Sequence, residues 1–238
     1  CGNDVASEMP MTHKFILDCV MYWAKEYHFD GFRFDIMSLL DTDLMNDIKR
    51  HLDDEYGKGE KLVYGEAWNM QTHPYGDVAM SDKDHFTRLD TSIGYFNDII
   101  RDSVTGCAFI PDDAGFADGS KDVEALKKGI ASCLGGDGII SNPSQSITFL
   151  SCHDNQTLWD KLSKVNGLHP VGDTEDRRLR QNRLCAAIYL MTPGRPFFFI
   201  GEEGARTKNG DENSYNAPIE ENAVHWDQLY AHKDLIGY

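Results

Sequence analysis

The sequence has few of the features that mark nucleic-acid-binding, membrane or repeat proteins. Its 23 lysines and arginines are outnumbered by 39 aspartates and glutamates, and the resulting net charge of −16 argues against nucleic acid and anionic membranes as partners. No apolar run approaches the ~20 residues of a membrane-spanning helix. We find no repeat, no low-complexity tract and no signal peptide at the start, which also lacks an initiator Met. At 238 residues with 41% hydrophobic side chains, one globular domain is the default expectation.

The cysteines lack the CxxC spacing of a structural zinc site. They are scattered among apolar segments, a distribution that favours buried thiols in a reducing compartment. A cytoplasmic location is therefore favoured over a secreted one, and three disulfides remain an open alternative. The six are Cys1, Cys19, Cys107, Cys133, Cys152 and Cys185.

Predicted strands and helices alternate along the chain, which indicates βαβ units and a parallel sheet. We count four or five strand–helix units, whereas an eight-stranded barrel needs eight. The prediction is an α/β chain that forms, over residues 1–238, the C-terminal portion of a (β/α)₈ barrel: its fourth to eighth strands and the following loop, with the first strands missing. The predicted strands are 32–36, 62–65, 147–150 and 196–200; the predicted helices are 9–27 (N-capped by Ser7), 44–56 (ended by Gly57 and Gly59), 122–134 (before a turn at 135–138) and 175–191; residues 69–91 are expected to form a loop, and 95–104 are left as strand or helix.

Three acidic residues each follow a short apolar run. Asp35, Glu66 and Asp154 stand where a strand buried on both faces would leave the core. In a barrel of parallel strands the carboxyl ends share one rim, where the active site lies. Converging carboxylates suit glycoside hydrolysis, which needs a nucleophile and a general acid on either side of the bond.

Three sequence blocks carry a family resemblance. GFRFD at 31–35, GEAW at 65–68 and SCHDN at 151–155 resemble the second, third and fourth signature regions of the α-amylase superfamily, glycoside hydrolase family 13. SCHDNQTLWDKL at 151–162, GEEGARTKNGDENSYN at 201–216 and the opening GNDVASE resemble type I pullulanases, its α-1,6 debranching branch. The family's first region and N-terminal signature are absent, so the resemblance implies an N-terminally truncated catalytic domain.

The resemblance assigns roles to the carboxylates. It implies that Asp35 is the nucleophile of a retaining mechanism, whose two carboxyls stand ~5–5.5 Å apart. Arg33, on the same strand face, is expected to keep Asp35 ionised and oriented. Glu66 is expected to be the general acid/base, in an apolar setting that favours the protonated form. The alternatives are a helix N-cap for Asp35 and an ordinary loop carboxylate for Glu66.

The third block supplies the remaining roles implied by the resemblance. Asp154 is expected to stabilise an oxocarbenium-like transition state, while His153 and Asn155 contact sugar hydroxyls. The alternative is a turn, because His, Asp and Asn are common turn residues.

Further candidates are aromatic and polar residues of the expected cleft. The aromatics are candidates for stacking on sugars, although most aromatics in such proteins belong to the core, and one or two of the four are expected to stack. A polar loop without a binding role is about equally favoured for the others. A calcium site is considered but not assigned, because EF-hand spacing is lacking. The aromatics are Trp68, Trp159, Tyr215 and Phe96; the cleft candidates are Arg206, Asn213 and Asn216; the calcium candidates are Asp160, Asp173 and Glu175.

The sequence thus predicts a hydrolase of α-1,6 branch linkages in pullulan, glycogen or starch limit dextrins. It would act by double displacement on an α-glucan, with no cofactor and no metal. The alternatives are another activity of the superfamily (an α-1,4 hydrolase, isoamylase or branching enzyme) and an inactive glucan-binding fragment. Because missing strands would expose sheet edges and apolar surface, the isolated chain is expected to be poorly soluble or to bind a partner.

Overall fold

The computed structural model of the protein describes residues 4–70, 72, 74–135 and 140–238. The chain divides into two compact units. Unit 1 comprises Cys1–Phe96 and Leu134–Ile147, and unit 2 comprises Asn97–Cys133 and Thr148–Tyr238. Cys1, the first two residues of the GNDVASE segment, and residues 136–138 of the predicted turn lie outside the described residues.

Unit 1 is built from helices that alternate with short parallel strands. The strands lie side by side in chain order, β1 to β4, and every pairing is parallel. The register pairs Arg33 with Tyr64, Tyr64 with Gly94, and Tyr95 with Ser146. The elements are α1 (Pro10–Glu26), β1 (Gly31–Phe34), α2 (Thr42–Tyr56), β2 (Leu62–Gly65), β3 (Gly94–Phe96), the first two residues of β4 (Ser146–Thr148), and 3-10 helices at Met37–Leu39, Phe86–Arg88 and Pro143–Gln145.

The helix boundaries of unit 1 follow from local sequence, with one correction. Ser7 was predicted to cap α1, but the helix begins at Pro10, and its N-cap, Met9, makes no side-chain cap hydrogen bond. The hydroxyl of Ser7 donates instead to Asp41 Oδ2 over 2.6 Å. Asp41 in turn caps α2, accepting from the Leu44 N–H, and Gly57 ends that helix at φ 104°.

The core of unit 1 lies where α1, α2 and the strands pack together. The prediction that the strands are buried on both faces is wrong here: β1 is half-buried along its length, and β2 alternates between half-buried and buried residues. The core residues of unit 1 are Val20, Ala24, Met37, Leu44, Met45, Ile48, Leu52, Val63, Ala67, Leu89, Ile93, Tyr95 and Ile140.

Unit 2 is mostly helical. Thr148, the last residue of β4, accepts a backbone hydrogen bond from Phe197 over 2.8 Å, beside β5. The cores of this unit are built around Ile100, Val104, Leu158 and Leu162, and around Trp159 and Leu235. The elements are α3 (Asp98–Thr105), α4 (Val123–Ser132), α5 (Leu158–Leu168), α6 (Glu175–Met191), β5 (Arg195–Pro196), α7 (Ile219–Asn222), α8 (Trp226–Ala231), α9 (Lys233–Ile236), and 3-10 helices at Glu202–Gly204 and Ser214–Asn216.

The ambiguous segment 95–104 contains both a strand end and a helix. Asn97 separates β3 from α3, because its side chain accepts from the Ile99 N–H and starts a new helix. The predicted strand 196–200 is wrong beyond Pro196, where the chain is irregular. Helix α5, capped by Thr157, was not predicted from the sequence.

The α/β class with parallel strands is confirmed. Among the described residues there are five strands, fewer than the eight of a complete barrel. The described cysteines are free thiols: Cys19, Cys107, Cys133, Cys152 and Cys185. In the described parts of the chain, no helix has the length and apolar character needed to cross a membrane.

Candidate active site

Two carboxylates and one arginine meet at the carboxyl ends of β1 and β2. Phe34 and Gly65 pair in the parallel register, so the next residue of each strand, Asp35 and Glu66, leaves the sheet at the same edge. The Asp35 side chain is 60% exposed, whereas that of Glu66 is 3% exposed. The Asp35 carboxylate is therefore accessible to a ligand, whereas the Glu66 carboxylate is buried.

Arg33 bridges these two carboxylates. Its Nη1 donates to Asp35 Oδ1 over 2.6 Å, and its Nη2 donates to Glu66 Oε1 over 2.7 Å. Charge-assisted hydrogen bonds from one planar guanidinium fix the position and the orientation of both carboxylates. Arg33 thus contacts Asp35, as its predicted role requires, and also contacts Glu66; the role itself stays a prediction.

The turn after β1 also holds Glu66. Its second carboxylate oxygen, Oε2, accepts from the Ile36 N–H over 2.9 Å. The Glu66 backbone donates to Phe34 O over 3.2 Å and accepts from Ser38 N over 3.0 Å. Glu66 is therefore buried, with an N–H donor at each carboxylate oxygen rather than a purely apolar setting.

This turn has an unusual backbone. Ile36 has φ 46° and ψ 52°, in the left-handed region, where a β-branched residue is strained. The neighbouring strand approaches so closely that a Cβ on Gly65 would lie 2.6 Å from Met37 Cβ and 2.6 Å from Phe34 O. Glycine at position 65 is therefore required by the contact that brings the two strand ends together.

Aromatic rings surround the arginine. The Arg33 guanidinium lies 5.5 Å from the centroid of the Phe96 ring, which is itself 5.9 Å from that of Tyr64. Burial raises the pKa of Tyr64, and the charge of Arg33 opposes this shift. Phe96 is 1% exposed, so it supports Arg33 rather than offering a face to a sugar.

In unit 2, the loop after β4 contains the third sequence block, SCHDN at 151–155. The side chains of His153 and Asp154 are 46% and 55% exposed, and His153 Nε2 lies 3.4 Å from Asp154 Oδ1. Asn155 has φ 58°, a conformation that asparagine tolerates. The loop then enters α5 at Thr157.

The remaining predicted binding residues differ in accessibility. Trp68 is half-buried, with the Lys83 ammonium 4.8 Å from its ring centroid. Tyr215 is 79% exposed. Trp159 is a core residue, packed against the Arg178 guanidinium at 4.3 Å.

The segment 201–216 is held in part by hydrogen bonds to residues on either side of it. Arg206 is buried and donates to Ile200 O over 2.8 Å and to Asn222 O over 2.5 Å, which commits its guanidinium to the backbone. Asn213 and Asn216 are exposed, so they are accessible to a ligand. Contact of these side chains with a glucan stays a prediction.

The residues considered for calcium have protein partners. Asp160 accepts from Lys208 N over 2.8 Å and from the Thr207 hydroxyl. Asp173 accepts from Ser163 Oγ over 2.9 Å, and Glu175 lies 3.3 Å from His232 Nε2.

Sequence reasoning missed two buried ionisable residues of unit 2. Lys208 is fully buried, and its Nζ donates to His153 O over 2.9 Å. Glu202 accepts from Ser151 Oγ over 2.5 Å. Both belong to the segment GEEGARTKNGDENSYN at 201–216. A single lysine among glycines and acidic residues was the sequence feature that could have indicated a buried charge there.

The chain is similar to known proteins along its whole length. The chain is 40% identical, over its whole length, to pullulanase from Bacillus subtilis. It is 26% identical, again over its whole length, to isoamylase 1 from Arabidopsis thaliana. The crystal structure of Paenibacillus barengoltzii pullulanase with maltohexaose and α-cyclodextrin superimposes on 98% of the chain, with a TM-score of 0.87 and 40% identity. That of Bacillus subtilis type I pullulanase with maltose gives a TM-score of 0.88 at 37% identity over 98% of the chain.

The chain is a homologue of pullulanases and isoamylases. This confirms the resemblance read from the three sequence blocks. The homology is partial, because the chain spans only 32% of the Bacillus subtilis pullulanase and 36% of the Paenibacillus barengoltzii chain. No family model matches the chain.

Proposed function

We propose that the chain carries catalytic residues of a debranching glycoside hydrolase that cleaves α-1,6 linkages in α-glucans. The observation that carries the proposal is the Arg33 bridge between an exposed Asp35 and a buried Glu66 at neighbouring strand ends. Support comes from the pullulanase and isoamylase homologues, and from pullulanase neighbours crystallised with maltooligosaccharides.

In the proposed first step, Asp35 attacks the anomeric carbon while the glycosidic bond breaks. The departing oxygen takes the proton of Glu66, and the sugar remains as an ester on Asp35. In the second step, water gives a proton to Glu66 and attacks the same carbon, which releases Asp35. Retention of anomeric configuration follows from the two displacements.

Both carboxylate oxygens of Glu66 accept hydrogen bonds, Oε1 from Arg33 Nη2 and Oε2 from the Ile36 N–H. In the first step one of these oxygens must face the departing oxygen of the substrate. We expect a sugar bound at Asp35 to displace the guanidinium from Glu66 Oε1, which leaves that oxygen accessible to the substrate.

Asp154 and His153, in the loop after β4, have the remaining roles in the proposed mechanism. Asp154 would stabilise positive charge on the sugar ring in the transition state, and His153 would donate to a sugar hydroxyl. Their exposed side chains are accessible for both roles. Asn155, Trp68, Asn213 and Tyr215 remain proposed glucan contacts. Arg206 would have to release its hydrogen bonds to Ile200 O and Asn222 O to join them.

The test is a product analysis on pullulan with the natural polypeptide that carries this sequence. Maltotriose is expected from the wild type and from Asp54→Asn, a control that neutralises an exposed aspartate of unit 1. Asp35→Asn and Glu66→Gln are expected to give none. Panose or isopanose would move the assignment to α-1,4 cleavage, and no product from any of them would favour a glucan-binding protein.

The isoamylase homologue supports a second candidate, a debranching enzyme whose substrate is branched glycogen rather than pullulan. The same carboxylates would serve both. Linear chains released from glycogen, with pullulan left intact, would favour this alternative.

A further inference from the structure

Lys208 is a charged side chain buried beneath the loop that carries His153 and Asp154. The residue has no exposed surface, and its ammonium donates to the carbonyl oxygen of His153 over 2.9 Å. Burying an ammonium is unfavourable unless hydrogen bonds and opposite charges compensate. Neither the proposed displacement steps nor the predicted glucan contacts use this lysine.

The backbone around Lys208 is fixed to helix α5. Asp160, in the first turn of that helix, accepts from the Lys208 N–H over 2.8 Å and from the hydroxyl of Thr207. One carboxylate therefore anchors two successive residues. From this anchored position the side chain of Lys208 reaches His153, so the loop after β4 is tied to α5 through a charged group.

The charges around Lys208 are negative. Burial lowers its pKa, while the nearby Asp211, Asp160 and Asp154 carboxyls and the Cys152 thiol oppose that shift. The Asp154 carboxyl is thus one of several acidic groups near the ammonium, and its own side chain is 55% exposed to solvent.

We propose that Lys208 is a positioning residue for His153 and Asp154: its ammonium fixes the backbone of His153, and thereby the direction of the Asp154 carboxylate. The proposal rests on the proposed function in assigning these two side chains to catalysis. The geometric part, an ordered loop held by Lys208, stands without it.

The main variant is Lys208→Met, which keeps the length and apolar character of the chain but removes the ammonium. We expect kcat on pullulan to fall roughly ten- to hundredfold, the size of effect that a displacement of about 1 Å produces. KM is expected to change little.

The matched control is Lys161→Met. The ammonium of Lys161 is also largely buried in unit 2 and donates to three backbone carbonyls, those of Cys107, Ile110 and Pro111, at 2.8–3.1 Å. Its loss should lower the melting temperature yet leave kcat and KM of the folded protein unchanged. The control separates loss of stability from loss of positioning.

Hydrogen exchange of the amides at 152–156 tests the geometry without any substrate. Exchange there should be faster in Lys208→Met than in the wild type and unchanged in Lys161→Met. Lys208→Arg keeps a charged donor, so it should keep exchange at 152–156 nearer its wild-type rate, and it serves if Lys208→Met fails to fold.

The proposal is overturned if Lys208→Met lowers only the melting temperature, with kcat and exchange at 152–156 as in the wild type. It is also overturned if Lys208→Arg lowers kcat and speeds exchange at 152–156 as much as Lys208→Met does. Failure of the wild type to cleave pullulan would refute the proposed function instead, and the exchange measurement would still decide whether Lys208 positions the loop.

Discussion

The buried carboxyl of Glu202 is expected to make the free energy of unfolding depend on pH, by an amount that follows from its surroundings. Its side chain is enclosed in unit 2, where Ser151 Oγ donates to it over 2.5 Å and Tyr189 also forms a hydrogen bond with it. Burial raises the pKa of Glu202 from 4.5 to about 7, a shift that these hydrogen bonds oppose and neighbouring Glu203 reinforces. The folded protein therefore binds this proton more tightly than the unfolded chain does.

The sign of the effect follows from proton linkage. Between pH 4.5 and about 7 the folded state carries more protons than the unfolded state, so the free energy of unfolding falls as the pH rises through this window. Each pKa unit corresponds to about 1.4 kcal/mol, which gives a loss of roughly 3 kcal/mol by pH 8. Glu202→Gln imitates the neutral acid and should remove the loss.

Urea unfolding from pH 5 to 8, followed by tryptophan fluorescence, measures this prediction. Glu202→Gln is expected to exceed the wild type by roughly 3 kcal/mol at pH 8, with the two converging toward pH 5. Glu124→Gln changes an exposed glutamate of the same unit and should follow the wild type. Parallel curves for wild type and Glu202→Gln across the whole range would refute the reasoning.

Three further predictions concern unit 1 and the chain as a whole. Arg33→Lys should lower kcat/KM on pullulan in steady-state assays, because a single ammonium cannot bridge Asp35 and Glu66 as the guanidinium does; unchanged kinetics would contradict the bridge. Gly65→Ala should reduce the free energy of unfolding by about 1–3 kcal/mol in chemical denaturation, because the added methyl clashes with the turn after β1. Its control is Gly167→Ala in α5, where nothing lies within 4 Å of the added methyl, and this change should be neutral or stabilising. Large apolar side chains such as Phe15, Met191 and Ile219 are exposed, so the 238-residue chain is expected to associate, and a monodisperse monomer in analytical ultracentrifugation would show that expectation to be wrong.

Much of the site in unit 1 was predictable because its signals are local. An apolar run that ends in a charge marks the carboxyl end of a strand, and parallel neighbours place two such ends at one edge. These signals predict Asp35 and Glu66 at neighbouring strand ends, with Arg33 on the face of Asp35, although β1 and β2 are only partly buried. Helices with clear boundary signals, such as α2 before Gly57, were also predicted closely.

The features that escaped prediction depend on contacts distant in sequence. The N–H of Ile36 aimed at Glu66 requires a left-handed isoleucine, which no propensity scale favours. Ser7 has the composition of a helix cap, yet it hydrogen-bonds to Asp41, 34 residues away. Lys208 reaches a carbonyl 55 residues earlier in the chain, so its burial could not be inferred from its polar neighbours.

The left-handed Ile36 has a consequence for protein engineering. Glycine or asparagine fits this conformation more readily, so a screen for heat resistance would favour either at position 36. A freer turn would point its amide less firmly at the Glu66 carboxylate. Melting temperature and turnover are therefore expected to move in opposite directions at this residue, and a library ranked by thermal tolerance alone would discard the natural side chain.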